Sequence, residues 1–258
     1  MNILAIGDVV GSVGCRFLRE KLPALKKYKG IDLVIANGEN SADGNGITPS
    51  SADYLFNSGV DVITAGNHTF RRREIYEELD NSPFLLRPGN YPGSAPGRGW
   101  CLLDRGAYRV AVLNLQGVVY MESLRCPFEE ADRMVREAKE AGAGAVFVDF
   151  HAEATSEKKA MGFYLDGRVT ALFGTHTHVQ TADNEILPGG TGYITDLGMT
   201  GPKLSVLGVE PELAIRKMKE KLPVRFEYAE GPVFLNACLF TADLSTGKTL
   251  ETERLVIE

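Results

Sequence analysis

In the stretch Asn2-Ile-Leu-Ala-Ile-Gly-Asp8, an apolar run of strand length stops at an acidic residue, and this pattern indicates the fold class. A turn that contains Gly11 and Gly14 follows, and an amphipathic stretch then runs from about Cys15 to Lys27. An apolar run, a glycine-rich turn and an amphipathic segment predict a strand, a loop and a helix in that order. The acidic residue therefore lies just past the carboxyl end of the first strand.

Five more apolar runs end in the same way. They begin near residues 33, 62, 110, 145 and 171, and the polar clusters after them are Asn37-Gly-Glu-Asn40, Gly66-Asn-His68, Asn114, Asp149-Phe-His151 and Gly174-Thr-His176. Helical segments such as Glu130–Ala141 lie between some of the runs. Continuous apolar strands that alternate with helices are typical of an α/β fold with a sheet covered on both sides. Ligands bind beyond the carboxyl ends of such strands, so we expect six polar loops to meet at one edge.

Composition limits both the architecture and the partners. With 258 residues and 44% hydrophobic side chains, the chain can bury a large core, and we expect one domain over residues 1–258. The formal net charge of −6, without a basic block, argues against a non-specific grip on long nucleic acid. A small anionic substrate is still compatible with this charge if bound metal ions supply positive charge locally.

The remaining segments are less regular. From about residue 223 the sequence alternates at Val224–Tyr228 and around Phe234–Phe240, which predicts antiparallel strands that close the sheet or form a second one. The stretch Arg87–Gly99 is rich in Pro and Gly and predicts an irregular surface loop. For Arg71-Arg-Arg73, a solvated helix start is favoured over a phosphate-binding role.

Cysteine usage and the terminus bear on cellular location. The four cysteines are scattered without a Cys-x-x-Cys motif, which indicates reduced thiols in a cytoplasmic protein. The amino terminus has no basic region before its apolar run, so no signal peptide is expected. No apolar stretch is long enough to span a membrane, and no membrane contact is expected.

All four histidines of the chain lie at the ends of apolar runs. Histidine is a common metal ligand and the usual acid or base near neutral pH. Carboxylates and amides lie at similar positions, and the mixed oxygen and imidazole donors suit Mn²⁺, iron or Zn²⁺. The candidate metal ligands are Asp8, Glu39, Asn40, Asn67, His151, His176 and His178. They exceed what one catalytic ion needs, so the sequence predicts two ions.

These residues also have other interpretations. Asp8 can cap the following helix, Glu39 and Asn40 can be turn residues, and His176-Thr-His178 can be a solvated turn. The spacing Gly7-x-x-x-Gly11-x-x-Gly14 permits a nucleotide-binding Rossmann unit, although it lacks the initial Gly-x-Gly. A non-enzymatic regulator that uses metal ions only for its shape is a further alternative.

Five motifs together resemble the calcineurin-like metallophosphoesterases, and more closely the YmdB-like branch of that superfamily. They are Gly7-Asp-Val-Val-Gly11, Asn37-Gly-Glu-Asn40, Gly66-Asn-His-Thr69, Asp149-Phe-His-Ala-Glu-Ala-Thr-Ser-Glu-Lys158 and Gly174-Thr-His-Thr-His178. The resemblance extends along the whole chain. It implies a four-layer α/β/β/α sandwich and phosphodiesterase activity on cyclic nucleotides, above all 2′,3′-cyclic ones, with 3′,5′-cyclic nucleotides as a second class.

The resemblance also implies roles for individual residues. Two divalent or trivalent ions, iron or manganese with zinc as an alternative, would be bound by Asp8, Asn40 and His178 and by Asn67, His151 and His176, with Glu39 bridging. A hydroxide between the ions would attack phosphorus, and His68 would protonate the leaving ribose oxygen. The other interpretation of His68 is a hydrogen bond that orients a ligand. A homo-oligomer is expected from the family alone.

Several positions depart from the superfamily pattern or flank the motifs. Val10 replaces the histidine of the D-x-H motif, Glu39 replaces the bridging aspartate, and Thr69 replaces the acid after Gly-Asn-His. The Gly11–Gly14 turn can let the backbone approach substrate. The residues around His151 that we expect to be local structure, with Glu153 or Lys158 as supports of the site, are Asp149, Glu153, Ser156 and Lys158.

Overall fold

Two β-sheets packed face to face form the centre of the protein, and helices cover their outer faces. The computed structural model describes all 258 residues. The strands of the first sheet are β1 (Asn2–Ile6), β2 (Asp8–Val9), β3 (Leu33–Asn37), β4 (Val62–Thr64), β11 (Met199–Pro202), β12 (Val233–Asp243) and β13 (Lys248–Ile257). Their order is β2-β11-β12-β1-β3-β4, and β13 also pairs with β12.

The second sheet lies between the first sheet and two of the helices. Its strands are β5 (Trp100–Asp104), β6 (Arg109–Gln116), β7 (Ala145–His151), β8 (Ala171–Thr175), β9 (Glu185–Ile186) and β10 (Gly192–Ile194), in the order β5-β6-β7-β8-β10-β9. Strands β6, β7, β8 and β10 are parallel, as are β1, β3 and β4 of the first sheet. Their carboxyl ends therefore reach a common edge within each sheet.

Six α-helices connect the strands. They are α1 (Gly11–Lys29), α2 (Pro49–Asn57), α3 (Tyr76–Asn81), α4 (Pro127–Glu140), α5 (Thr155–Leu165) and α6 (Pro211–Glu220). The start of α2 is capped by Thr48, whose side chain accepts a hydrogen bond from the Ser51 N–H. The end of α1 is marked by Gly30 in the left-handed region, with φ of 59°. None of the helices is both long and apolar enough to cross a membrane.

Alternation of side chains along the strands divides the apolar residues among three cores. Ile3 of β1 packs between the sheets, whereas the next residue, Leu4, packs against α1 and α2. In β6, Val112 packs between the sheets and Leu113 packs against α4. Both faces of each sheet are thus buried, which explains the continuous apolar runs and confirms the predicted α/β/β/α sandwich.

The C-terminal segment is only partly as predicted. Strands β12 and β13 form an antiparallel pair, and β12 is also antiparallel to β1, so this pair extends the first sheet. The predicted strand at Val224–Tyr228 is wrong, because its only β-bridge joins Tyr228 to Val209. The strand pattern left open whether these strands close the first sheet or form a second one, and the structure shows that they belong to the first.

Helix α1 begins at Gly11, earlier than the predicted Cys15. A Cβ atom at Gly14 would overlap the Thr200 carbonyl group of β11, so this glycine allows close contact between a helix and a strand. Gly14 thus has a packing role, and the approach of the Gly11–Gly14 turn to substrate stays a prediction. The Rossmann alternative is wrong, because β1 lies between parallel β3 and antiparallel β12 in a two-sheet fold.

The stretch Arg87–Gly99 is irregular, but its first half is not at the surface. Residues 87–91 are buried, and the Arg87 guanidinium donates hydrogen bonds to the carbonyl groups of Pro88 (2.8 Å) and Pro96 (3.2 Å). These internal hydrogen bonds satisfy backbone carbonyl groups of a segment that lacks regular secondary structure. The prediction of a surface loop is thus wrong for this half.

Candidate metal centre and active site

The predicted site residues meet where strands of both sheets end. His151 is the last residue of β7 and Asp8 is the first residue of β2, while the others lie in loops after β3, β4 and β8. Direct side-chain contacts connect the whole set, which comprises Asp8, Glu39, Asn40, Asn67, His68, His151, His176 and His178. The structure therefore brings together every residue that the sequence placed in the site.

Nε2 of His151 is the focus of one group of side chains. It lies 3.0 Å from Asn67 Oδ1, 3.1 Å from His176 Nδ1 and 3.3 Å from Glu39 Oε1. One ring nitrogen carries either one proton or one lone pair, so it cannot form hydrogen bonds with all three neighbours. A shared cation would satisfy them together, and ligand atoms of Glu39, His151 and His176 lie within 4.8 Å of one another.

Asp8, Asn40 and His178 form a second group that contacts Glu39. His178 Nε2 lies 3.6 Å from Asp8 Oδ1 and 3.3 Å from Asn40 Nδ2, and the same amide donates to Glu39 Oε1 at 3.2 Å. Asp8 Oδ1 is buried and has no hydrogen-bond partner in the protein. A buried carboxylate oxygen without a partner is unfavourable, so this donor set fits a bound cation.

Charges within the site shift pKa values in opposite directions. Burial disfavours ionisation of Glu39, but the adjacent His151 and His68 hold the pKa of its carboxyl well below its usual range. Burial lowers the pKa of His151, yet the Glu39 carboxylate outweighs this effect and raises that pKa to about 9. Burial and then the charge of His151 lower the pKa of His176 to about 4. His176 is therefore neutral at pH 7 and has a lone pair available for a metal.

The turn His176-Thr177-His178 has an unusual backbone. The φ angles of +106° at His176 and +63° at His178 lie in the left-handed region, which residues other than glycine rarely adopt. The Thr177 N–H donates to Asp196 Oδ2 at 3.2 Å, and Lys158 Nζ lies 2.6 Å from the same oxygen. Lys158 and Asp196 are both 1% exposed. A buried ion pair thus holds the backbone that presents both imidazoles.

A second buried carboxylate orients His151. Asp149 accepts hydrogen bonds from the hydroxyls of Thr64 and Thr175 and from the Asn37 amide. Thr175 Oγ1 also lies 2.9 Å from His151 Nδ1. Because the Thr175 hydroxyl donates to Asp149, it accepts the Nδ1 proton of His151, so the proton that His151 loses when it binds a metal is the one on Nε2. The prediction that Asp149 is only local structure is therefore wrong.

Other flanking residues differ in their contacts with the site. Glu153 Oε2 lies 3.0 Å from His176 Nε2, as expected for a support of the site, whereas Ser156 is exposed on α5. Arg72 donates to the carbonyl groups of Asp43 and Asn45 at 2.6 and 3.0 Å. Arg71 and Arg73 are exposed, and Arg73 begins a short 3₁₀ helix (Arg73–Ile75), as predicted, whereas Arg72 fixes the loop after β3.

The departures from the superfamily pattern have local explanations. Val10 is 2% exposed and packs against Gly201 and Gly208, so an apolar contact occupies the position of the missing histidine. The Thr69 hydroxyl donates to the Gly66 carbonyl at 2.6 Å and closes the turn that carries Asn67. These contacts stabilise the two loops without adding ligands to the site.

A cavity of about 870 Å³ opens onto these residues. His68, His176 and His178 line it from one side, and a wall formed by Leu207, Val209 and residues 225–228 lines it from another. Leu207 and Val209 belong to the loop Gly198–Val209, which was expected to form part of the pocket wall, whereas residues 225–228 were predicted as a strand. Asp196 was not predicted, although this residue follows the apolar run of β10 as Asp8 follows β1.

Comparison with known proteins identifies the family. A family model described as YmdB-like protein matches residues 4–255. The chain belongs to the YmdB-like family. The 2′,3′-cyclic-nucleotide 2′-phosphodiesterase of Bacillus subtilis (strain 168) is 48% identical over 258 residues, which cover 100% of this chain and 97% of that protein.

Solved structures agree with this membership. The crystal structure of a phosphatase from Mycoplasma pneumoniae has a TM-score of 0.93 and 35% identity, over 100% of this chain and 93% of that one. A 5′-nucleotidase precursor from Thermus thermophilus, at a TM-score of 0.62 and 14% identity, covers 100% of this chain and 54% of that one and shows the fold alone. The predicted metallophosphoesterase fold, which implies divalent metal ions, and the phosphodiesterase class are confirmed. The chain is thus an enzyme rather than a non-enzymatic regulator.

Proposed function

We propose that this YmdB-like phosphodiesterase hydrolyses 2′,3′-cyclic nucleotides at a centre of two metal ions and releases 3′-nucleotides. The observation that carries the proposal is the convergence of carboxylate, amide and imidazole donors from both sheets beside an open cavity. The 48% identity to a 2′,3′-cyclic-nucleotide 2′-phosphodiesterase supports the choice of substrate. The 3′,5′-cyclic nucleotides are a second predicted class.

The two groups of donors suggest how two ions would be bound. The proposed ligands are Asp8, Asn40 and His178 for one ion and Asn67, His151 and His176 for the other, with Glu39 between them. Iron or manganese suits this mixture of oxygen and imidazole donors, and zinc is the alternative. Bound there, such ions would polarise the phosphoryl oxygens and lower the pKa of water enough to supply a nucleophile at neutral pH.

His68 is the proposed general acid. Its Nδ1 lies 2.8 Å from Asn40 Oδ1, and its backbone N–H donates to Glu39 Oε2 at 2.9 Å. These contacts hold the ring while it still lines the cavity. The oxygen of water would bond to phosphorus while the water gives up one proton to solvent. The bond from phosphorus to O2′ would break, and His68 would give a proton to O2′ and regain one from solvent.

Hydrolysis of 2′,3′-cyclic AMP tests the proposal directly. We expect protein loaded with Mn²⁺ or iron to convert it to 3′-AMP, identified by chromatography against a 2′-AMP standard. Activity should disappear with a chelator and return when metal is added, and 3′,5′-cyclic AMP should be compared at the same concentration. Protein that carries two ions and hydrolyses neither nucleotide would contradict the proposal.

A substitution of His68 separates proton transfer from metal binding. We expect His68→Ala to keep both ions and to lose about 100- to 10,000-fold in kcat, the usual range for a general acid. His176→Ala is the comparison variant, and it should lose metal first because its imidazole is a proposed ligand. Elemental analysis and steady-state kinetics on both variants provide the measurement. An unchanged kcat in His68→Ala would contradict the role of general acid, and His68 would then only orient Asn40.

The proposal extends to the location of the protein and to its further partners. All four cysteines are unpaired, which supports a reducing, cytoplasmic environment. The expected substrate is a small phosphodiester, and no stable binding of long nucleic acid or membrane is proposed. The homo-oligomer expected from the family is kept as a proposal that size-exclusion chromatography with light scattering can test.

A further inference from the structure

Phe226 lines the wall of the cavity beside the proposed metal centre. Its side chain is 49% exposed, and it shares this cavity with His68 and His178. It takes part in none of the aromatic pairs or cation–π contacts of the protein. An aromatic face without a partner inside the protein is available for stacking against a ligand.

Hydrogen bonds hold the three residues that follow Phe226. The Ala229 N–H donates to the Gly208 carbonyl, and the Glu210 N–H donates to the Glu227 carbonyl, both at 2.9 Å. The Tyr228 hydroxyl donates to the Ala42 carbonyl at 3.2 Å, which joins this wall to the loop after β3. Ordering of the wall before a ligand binds reduces the entropy that binding must overcome.

Size and charge indicate which part of a substrate this wall contacts. The cavity of about 870 Å³ lies within the range of small-molecule sites, so it has room for a nucleoside as well as a phosphate. Arg225 is the one lysine or arginine that lines it, whereas Asp43, Glu153 and Glu227 are acidic. A second phosphate group would be repelled by these carboxylates, but a neutral base would not be.

We propose that Phe226 is the stacking platform for the nucleobase and that Leu207, Val209 and residues 225–228 form the nucleoside subsite. The inference rests on the proposed hydrolysis of 2′,3′-cyclic nucleotides. Every base has an aromatic face, so the subsite accepts all four bases and binds purines more tightly than pyrimidines, because purines stack more strongly.

The test is a comparison of steady-state kinetics on three 2′,3′-cyclic phosphates: those of adenosine, of uridine and of methyl riboside, which has no base. Phe226→Ala should raise KM for the adenosine compound about tenfold and for the uridine compound less. Stacking contributes equally in the ground state and the transition state, so kcat should stay within about twofold. KM for the methyl riboside should not change, and Phe226→Tyr should behave like the natural protein.

Phe163→Ala is the matched control, because Phe163 is also exposed (63%) but lies on α5 outside the cavity. Its KM for the adenosine compound should match that of the natural protein.

A normal KM for the adenosine compound in Phe226→Ala would overturn the inference. An equal rise in KM for the methyl riboside would also overturn it, since the wall would then act only on the phosphate end. If the natural protein hydrolyses all three compounds and Phe226→Ala does not differ, the inference alone fails. If the natural protein hydrolyses none, the proposed function fails and the inference fails with it.

Discussion

Lys158 and Asp196 form a buried ion pair that supports the backbone of the site. Their ion pair is removed from solvent, and the Asp196 carboxylate also accepts the N–H groups of Thr177 and Gly198. Removing two charges from water is unfavourable, so a buried ion pair is weak support for stability. Its position suggests another use, which is to hold the left-handed backbone at His176 and His178.

Removal of the Lys158 charge tests this role at the residue scale. Lys158→Met leaves the Asp196 carboxylate buried without its partner, so we expect the free energy of unfolding to fall by about 3–5 kcal/mol. The double variant Lys158→Met/Asp196→Leu should regain much of this stability, because no unpaired charge remains. It should still bind Mn²⁺ more weakly, since the Thr177 N–H has lost its acceptor.

Urea unfolding and calorimetric Mn²⁺ titration provide both measurements. Lys159→Met is the control, because Lys159 forms only partly exposed ion pairs, with Asp183 and Glu185. This substitution should lower the free energy of unfolding by no more than about 1 kcal/mol. Normal Mn²⁺ affinity in the double variant would show that the ion pair does not support the turn.

At the scale of elements, the ends of β4 and β7 meet although the strands belong to different sheets. Gly66 follows β4, and a Cβ atom at this position would overlap the imidazole of His151 at the end of β7. The absence of a side chain therefore allows the two strand ends to approach. The glycine of the Gly66-Asn67-His68 motif thus has a packing reason independent of any ligand.

Gly66→Ala should disturb this contact. We expect the added methyl group to displace His151, to reduce the bound metal and to lower the free energy of unfolding by about 1–3 kcal/mol. Gly93→Ala is the matched control, because a Cβ atom there would meet nothing within 4 Å. Elemental analysis and thermal unfolding of both variants are the measurements. Full metal content in Gly66→Ala would contradict the packing argument.

At the scale of the whole molecule, one charge interaction connects the two sheets. Glu39 follows β3 of the first sheet, and His151 ends β7 of the second. Glu39 raises the pKa of His151 against the effect of burial, from the ordinary 6.5 to about 9. In metal-free protein this contribution to stability is fully present below pH 6.5 and is lost as the pH rises through about 9.

The metal-free protein should therefore become less stable between pH 6.5 and about 9. The loss from this one proton is at most about 1.4 kcal/mol per pH unit. Urea unfolding in the presence of a chelator measures it, and His151→Gln should flatten the slope. Metal affinity should rise over the same range, because a ligating His151 must lose its proton. An equal slope in His151→Gln would contradict the coupling between the sheets.

Much of the site could be predicted because its residues stand at the ends of apolar runs, and the ends of parallel strands meet at one edge. Asp196 had the same signal after β10 and could have been found in this way. Thr64 and Thr175 had none, because hydroxyl side chains are common in strands and their shared partner, Asp149, lies on another strand. The place of Phe226 in the cavity could not be predicted, because the alternation of apolar and polar residues around it resembles that of a strand.

Periodicity and residue type are local properties, so the main strands and helices and the kinds of donor atoms at the strand ends could be predicted from the sequence alone. Three features became visible only in the folded protein: the strand order within each sheet, the cavity wall at residues 225–228 in place of a strand, and the pairing of Lys158 with Asp196. These features depend on contacts between residues far apart in the chain. The apolar run that ends at Asp8 predicts a strand, but the partners of that strand are set by the packing of the whole protein.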